Sequence, residues 1–360
     1  MIRAFRVTAE TELAARAAQA TAERLTERGL VAAADGFPLQ FRLQAADAEA
    51  PISLAVTESG CVLAAREQVD FFTAAGVFLR RLRFLDGGAE APVWIQAVTP
   101  RCAVRGAYFA SHFHNWYITA PEAEQTRYLE DMALWGFNTL MAAFPMIDLL
   151  SGDCEEYHTQ AARMVSLFRA AHELGMGVCT LPNVNSGYRE FPKDWAGAPH
   201  ADPLRRRGNS GNMLCPAKPG VQDWIDKDNH RFYRWLTECG VDMLITWPYD
   251  EGGCACPDCY PWGAKGFLRG SKRAFEMARN YFPNVKRILS TWMFDTPEEG
   301  EWDALTESLE EDRWCDMILA DSHEDYPRYP LDKGVPGGLP LLNFPEISMW
   351  GLYPWGGWGA

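Results

Sequence analysis

The chain has 360 residues, of which 48% are hydrophobic, 23% charged and 12% aromatic; this is a globular composition with room for one large domain and a smaller companion, and it excludes a disordered or fibrous chain. A formal net charge of −14 argues against nucleic acid or an anionic membrane as the main partner, since both reward clustered Lys and Arg. The one basic run, Arg205 to Arg207, is short and reads as a solvated loop. No stretch approaches the ~20 apolar residues that span a bilayer, and MIRAFRVTAETEL lacks the apolar core of a signal peptide, so the chain reads as cytoplasmic. Ten dispersed cysteines imply reduced thiols; Cys61, Cys102, Cys179, Cys239 and Cys315 sit in or beside apolar runs and read as small core residues.

Residues 1–98 read as a small α+β domain. A helix over Glu10–Arg28 precedes strands near Leu39–Leu43, Ile52–Thr57 and Cys61–Ala65. A second helix, EQVDFFTAAGVFLRRL, sets Phe71, Phe72, Val77, Phe78 and Leu82 on one stripe, and PVWIQAV closes the domain as a strand. Residues 99–360 then alternate strand and helix. The strands are AVRGAYFA (103–110), FNTLMAAF (137–144), GVCTLPNV (177–184), VDMLITWP (241–248), VKRILSTW (285–292), CDMILADS (315–322) and LPLLNFPE (339–346). Between them lie PEAEQTRYLEDMALWG, EEYHTQAARMVSLFRAAHELG, VQDWIDKDNHRFYRWLTECG, GSKRAFEMARNYF and EEGEWDALTESLEED, all amphipathic. Near-continuous apolar strands alternating with helices predict a buried parallel sheet. The α/β fold expected is a (β/α) barrel of the TIM type, with a doubly wound sheet as the alternative. An eighth strand is missing, and the stop at PWGGWGA reads as truncation.

In such a barrel the chemistry sits where strands end. The first strand runs into His112, His114 and Asn115, the third into Asn183 and Asn185, the fourth into Trp247, Tyr249, Asp250 and Glu251. The fifth ends at Trp292 and Asp295, the sixth at His323 and the seventh at Glu346. Singly, each is as well explained by a helix cap or a turn. Together, carboxylates, amides, His and Trp on one rim suit cleavage of a glycosidic bond, which needs a proton donor, stabilisation of positive charge at the anomeric carbon and stacking surfaces. Many of the 14 tryptophans fall at strand ends or in Gly/Pro loops (Trp116, Trp247, Trp262, Trp292, Trp350, Trp355, Trp358), where indole faces match the C–H faces of sugars.

Two mechanisms fit. Asp250 can orient a substrate 2-acetamido group while Glu251 protonates the leaving oxygen; or Glu251 can act as acid/base with Glu346 as its partner carboxylate. Neighbouring strand residues face opposite ways, so the first needs the backbone to break after the strand, which Gly252 and Gly253 permit.

The segment ISLAVTESGCVLAAREQVDFFTAAGVFLRRL resembles the small α/β domain that precedes the barrel in glycoside hydrolases of families 20, 67, 84 and 89. RGAYFASHFHNWY and EQTRYLEDMALWGFNTLMAAF are similar to the start of those barrels. The resemblance to family 20 implies a β-N-acetylhexosaminidase-like enzyme in which Asp250 and Glu251 are the acetamide-assisted pair, Arg105 holds sugar hydroxyls and Trp292 walls the acetamide pocket. Here the glycines follow the acid pair instead of preceding it, SHFH replaces the usual Asp and Arg after the first strand, and the last strand is absent. An α-glucuronidase-like or α-N-acetylglucosaminidase-like activity therefore stays open. So does a non-catalytic carbohydrate-binding barrel.

Cys254, Cys256 and Cys259 form C-x-C-x-x-C, with Cys215 on the preceding connection as a candidate fourth ligand. Two readings stand: a reduced, partly buried loop cluster, or a structural zinc site beside the acid pair. The function expected requires no cofactor apart from that zinc. Its partner is an oligosaccharide or glycoside substrate.

Overall fold

A computed structural model of the chain describes residues 1–111, 116–199, 213–249, 253–296, 298–321 and 328–344. Backbone packing divides it into two compact units. The first comprises Met1–Ala107, Pro121–Leu140 and Arg169–Gly177; the second comprises Tyr108–Ala120, Met141–Phe168 and the chain from Val178 onward.

The first unit begins with β1 (Ala4–Ala9), α1 (Glu12–Glu27), β2 (Val31–Ala32), β3 (Phe37–Leu43), β4 (Ile52–Thr57), β5 (Gly60–Ala65) and α2 (Gln68–Arg81). A hairpin of β6 (Arg83–Leu85) and β7 (Gly88–Glu90) and the strand β8 (Trp94–Val98) follow. The main sheet has six strands in the order β2-β1-β3-β5-β4-β8, parallel from β2 to β5 and antiparallel at β5/β4 and β4/β8. In β4, Ile52, Leu54 and Val56 are buried while Ser53, Ala55 and Thr57 are not, the alternation expected of a half-covered strand. Helix α1 buries Ala14, Ala17, Ala18, Thr21 and Leu25, one face at helical spacing.

Strands β1 and β2 and the β6–β7 hairpin are additions to the elements read from sequence: AFRVTA mixes Arg and Thr into its pattern, and two- or three-residue strands carry no usable periodicity. Cys102, expected in the core, is exposed, because it lies on the connection after β8 and not inside an element.

From there the chain runs through β9 (Gly106–Phe109), α3 (Trp116–Thr119), α4 (Glu122–Trp135), β10 (Thr139–Ala142), α5 (Glu155–Glu173), β11 (Gly177–Thr180), α6 (Val221–Leu236) and β12 (Met243–Thr246). It continues through α7 (Gly266–Arg279), β13 (Lys286–Ser290), α8 (Glu301–Glu311), β14 (Met317–Asp321), α9 (Tyr329–Asp332) and β15 (Leu341–Phe344). Strands β9 to β15 form one seven-stranded sheet in strict chain order, with parallel pairing from β11 to β15. This is a TIM-type (β/α) barrel sheet that lacks one strand among the described residues, preceded in the chain by a separate N-terminal α/β region. Residues of β10 and β12 are buried on both faces, which is why those strands read as unbroken apolar runs. The strands are four or five residues long where the apolar runs predicted eight, since the runs continue into buried loop entrances.

Met141, Cys179, Met243, Ile245, Ile288, Met317 and Leu319 meet in one cluster, each at an alternate position of its strand, and Tyr108, Leu181, Trp247, Leu342 and Phe344 pack against it. This is the filled interior of the barrel. No described helix is long and apolar enough to cross a membrane.

Candidate active site

Aromatic rings from four strands gather at the top of the interior cluster, all in the second unit. Trp247, directly after β12, has its ring centroid 5.6 Å from Trp292 and 5.4 Å from Phe344; Trp292 lies 6.4 Å from Phe344, and Tyr108 5.6 Å from it. Each ring continues the inward parity of its strand, so four strands deliver aromatics to the top of the interior cluster. Trp247 is half-buried, and its Nε1, fully shielded from solvent, has no hydrogen-bond partner among the described residues.

Beside these rings is a buried polar network. Tyr249 is 1% exposed, and its hydroxyl donates to Oε1 of Glu301 at the start of α8. The same oxygen accepts the Gly263 N–H at 2.7 Å, while Oε2 accepts the Asp295 N–H at 3.1 Å. Asp295 answers by accepting the N–H groups of Glu301 (2.8 Å) and Trp302 (3.2 Å), satisfying two of the free donors at the helix start. Met293 and Asp295 both have positive φ, 60° and 58°, so the chain turns sharply after β13 to make this reciprocal arrangement. Burial raises the Glu301 carboxyl to about 7, against hydrogen bonds from Tyr249, Gly263 and Asp295 that favour its charged form.

The sequence reading assigned Tyr249 and Asp295 to the substrate; the structure ties the Tyr249 hydroxyl and both Asp295 oxygens to the scaffold that joins the loops after β12 and β13. Trp262, expected in a cleft, is fully buried and donates from Nε1 to Pro248 O at 2.6 Å. Gly253 is needed for a different reason than a backbone break. Its φ is outside the left-handed region, but a Cβ there would stand 2.3 Å from Trp262 Cγ.

Asn183 and Asn185, after β11, are also buried. Asn183 Nδ2 donates to Asp228 Oδ2 (3.0 Å) and Ser186 O (2.9 Å), its Oδ1 accepts the Ser186 N–H, and Asn185 Nδ2 donates to Leu214 O at 3.2 Å. Both amides hold the long β11–α6 connection in place. Tyr188 and Arg231 complete the shell around Asp228, whose carboxyl is raised by burial. Arg105 precedes β9 at its N-terminal end, within the first unit; its guanidinium donates to Gly136 O (2.6 Å) and Cys102 O (2.8 Å) and lies 3.8 Å from Asp70. These contacts tie the start of β9 to the end of α4 and to the connection after β8. Asp250, Glu251, Glu346, His112, His114, Asn115 and His323 lie outside the described residues.

Cys254, Cys256 and Cys259 come together with Cys215, all four Sγ atoms within 4.8 Å of one another. Hydrogen bonding from Cys259 lowers the Cys254 thiol below its ordinary value. Glu301 and Asp228, the buried carboxylates that organise the loops, went unseen in the sequence. Glu301 stands in the acidic stretch Glu298–Glu301 and Asp228 in a charged helix, where solvent exposure is the ordinary expectation.

A filled parallel barrel sheet preceded by an α/β domain, with aromatics over its C-terminal end, defines a class of fold shared with solved glycoside hydrolases. No family model matches the sequence, and no curated protein matches it. Among solved structures, the exo β-N-acetylglucosaminidase of family 20 from Vibrio harveyi, in complex with N-acetylglucosamine, has a TM-score of 0.66 at 12% identity, over 97% of this chain and 58% of that one. The family 20 β-N-acetylhexosaminidase of Streptomyces coelicolor has a TM-score of 0.62 at 15% identity, over 97% and 72%. A family 138 enzyme targeting pectin rhamnogalacturonan II has a TM-score of 0.60 at 10% identity, over 88% and 48%. The chain thus spans little more than half the length of the V. harveyi protein. The resemblance to family 20 read from the sequence holds at the level of the fold.

Proposed function

We propose that this chain is an exo-acting glycoside hydrolase of the β-N-acetylhexosaminidase type. The observation that carries the reading is positional. In a fold like that of family 20 enzymes, Asp250 and Glu251 follow β12, the fourth barrel strand, directly after Trp247 and Tyr249, and Trp247 packs at a tilt against Trp292. Carboxylates at that end of a barrel strand are where catalysis is done in this architecture.

In this mechanism Asp250 accepts a hydrogen bond from the acetamide N–H and turns its carbonyl oxygen toward the anomeric carbon. That oxygen forms the new C–O bond as the glycosidic bond breaks, and Glu251 gives its proton to the leaving oxygen. Glu251 then takes a proton from water, which opens the cyclic intermediate with retention. Trp247 and Trp292 supply apolar faces for the sugar ring.

Nitrophenyl N-acetyl-β-glucosaminide is the test substrate. Turnover is expected, with inhibition by a thiazoline mimic of the cyclic intermediate and a kcat loss of about 10²–10⁴ for Glu251→Gln. Failure to cleave any member of a nitrophenyl glycoside panel would overturn the reading and leave a carbohydrate-binding barrel. The likeness to a family 138 enzyme supports a second reading on other sugars, with Glu346 as partner of Glu251. Cleavage of a glycoside lacking the acetamide, unaffected by the thiazoline, is the outcome that favours it.

A further inference from the structure

Four thiols from two separate loops converge on one point. Cys215 lies on the connection between β11 and α6, and Cys254, Cys256 and Cys259 lie on that between β12 and α7. Every pair of their Sγ atoms is within 4.8 Å, and Cys215 and Cys256 are 3.6 Å apart. Thiolates arranged tetrahedrally around zinc at ≈ 2.3 Å stand about 3.8 Å from one another. A disulfide needs about 2.05 Å, and all four cysteines are free. The spacing is therefore that of a shared ion.

The surroundings agree with this. Cys215, Cys254 and Cys259 are buried and Cys256 is half-buried. Donors point at the sulfurs: Ala198 N–H at Cys254 (3.3 Å) and Arg269 Nη2 at Cys259 (3.7 Å). Such donors offset the excess negative charge of four thiolates on a divalent cation and orient the ligands.

We propose that Cys215, Cys254, Cys256 and Cys259 form a closed, four-coordinate structural site for one zinc ion that staples the β11–α6 loop to the β12–α7 loop. Four protein sulfurs leave no position for water or substrate, so the ion holds structure and does not take part in a reaction. The loops already meet through Ala255 N–H to Ala198 O at 2.9 Å, with Gly197 N–H to Met213 O at 2.8 Å alongside. Beyond these, the β11–α6 connection has little regular structure, only the short 3-10 turn Lys193–Trp195 and isolated bridges among the described residues. A metal cross-link is most effective on such long connections. Cys254 follows Glu251 by three positions, so the staple anchors the chain just past the carboxylate pair. The proposal stands whether or not the chain is a hydrolase.

The test is elemental analysis of full-length protein purified without chelator or histidine tag. About one zinc per chain is expected, with release by an organomercurial in step with thiol modification. Cobalt replacement should give the visible bands and near-ultraviolet thiolate charge transfer of a tetrahedral sulfur site. Cys215→Ser and Cys256→Ser should each lose at least ten-fold in zinc affinity, whereas Cys102→Ser, an exposed thiol elsewhere, should retain the metal. If the serine variants do not fold, the stoichiometry and cobalt spectrum of the unaltered protein decide alone. Zinc below about 0.2 equivalents with no uptake on dialysis against zinc under reducing conditions, iron in its place, or a cobalt spectrum without thiolate bands would each overturn the proposal. A protein that holds zinc yet cleaves no glycoside would overturn only the proposed function.

Discussion

Glu301 shows how one buried side chain can organise two loops. Its carboxylate gathers the Tyr249 hydroxyl and the N–H groups of Gly263 and Asp295 in a site with no solvent exposure. Burial holds it protonated up to about pH 7, against an ordinary value of 4.5, a difference of about 3 kcal/mol. The folded state keeps this proton more tightly than the unfolded chain. The contribution is therefore fully present below pH 4.5 and is lost as the pH rises to about 7. In Glu301→Gln the amide cannot ionise, so relative to wild type the variant should gain up to about 3 kcal/mol across that interval, read from denaturant midpoints at several pH values. A stability difference that does not change with pH would show that Glu301 does not titrate there. Glu301→Ala removes the acceptor shared by the Tyr249 hydroxyl and the Gly263 and Asp295 N–H groups, and a loss of about 1–3 kcal/mol is expected at any pH.

Within elements, two glycines oppose ordinary expectation. Gly76 lies inside α2, where helix propensity alone predicts that alanine improves stability by about 1 kcal/mol. A Cβ at that position would stand 1.7 Å from the Leu134 carbonyl oxygen of α4, a backbone atom that can move only with its helix. Gly76→Ala should therefore lower the melting temperature; an increase would show that the two helices do not cross so closely. Gly253→Ala drives a methyl into the Trp262 ring, and overpacking of this kind costs about 1–3 kcal/mol. Thermal melting of that variant, with zinc content measured alongside, reports how firmly the loop after β12 is held.

For the whole molecule, the sequence puts a boundary near residue 98, whereas backbone packing assigns Pro121–Leu140, including α4, to the same compact unit as residues 1–107. Within that unit Glu130 of α4 is 2% exposed and pairs with Arg16 and Arg24 of α1, while α2 packs against α4. A fragment of residues 99–360 would strip that carboxylate of Arg16 and Arg24, leaving it Arg127 alone at 3.9 Å, and would bare the buried face of α4. Removing the partners of a buried charge is strongly destabilising, about 3–5 kcal/mol. The fragment should be insoluble or melt without a cooperative transition, and a sharp calorimetric transition from it would count against this packing. The strand-and-helix alternation was legible because parallel strands covered on both faces read as continuous apolar runs, and even the four-residue β10 and β12 announced themselves. Strand β1 was not legible, since its register depends on β2 and β3 more than on its own residues.

Local pattern determined the parts of this protein that depend on neighbours in sequence. These are the alternating elements, the aromatic residues at strand ends, the position of Asp250 and Glu251 after the fourth barrel strand, and the C-x-C-x-x-C spacing. Which polar groups serve the scaffold was decided only by the tertiary structure. Asn183, Asn185, Tyr249 and Asp295 look like sugar contacts in a string of letters. Yet Asn183, Asn185 and Tyr249 each find a partner far along the chain, in Asp228, Leu214 and Glu301, while Asp295 caps the helix that begins six residues on. The convergence of Cys215 with its three counterparts has the same cause. Hydrogen bonds and the gathering of thiols depend on groups that meet across loops, and a sequence records the order of those groups but not their distances.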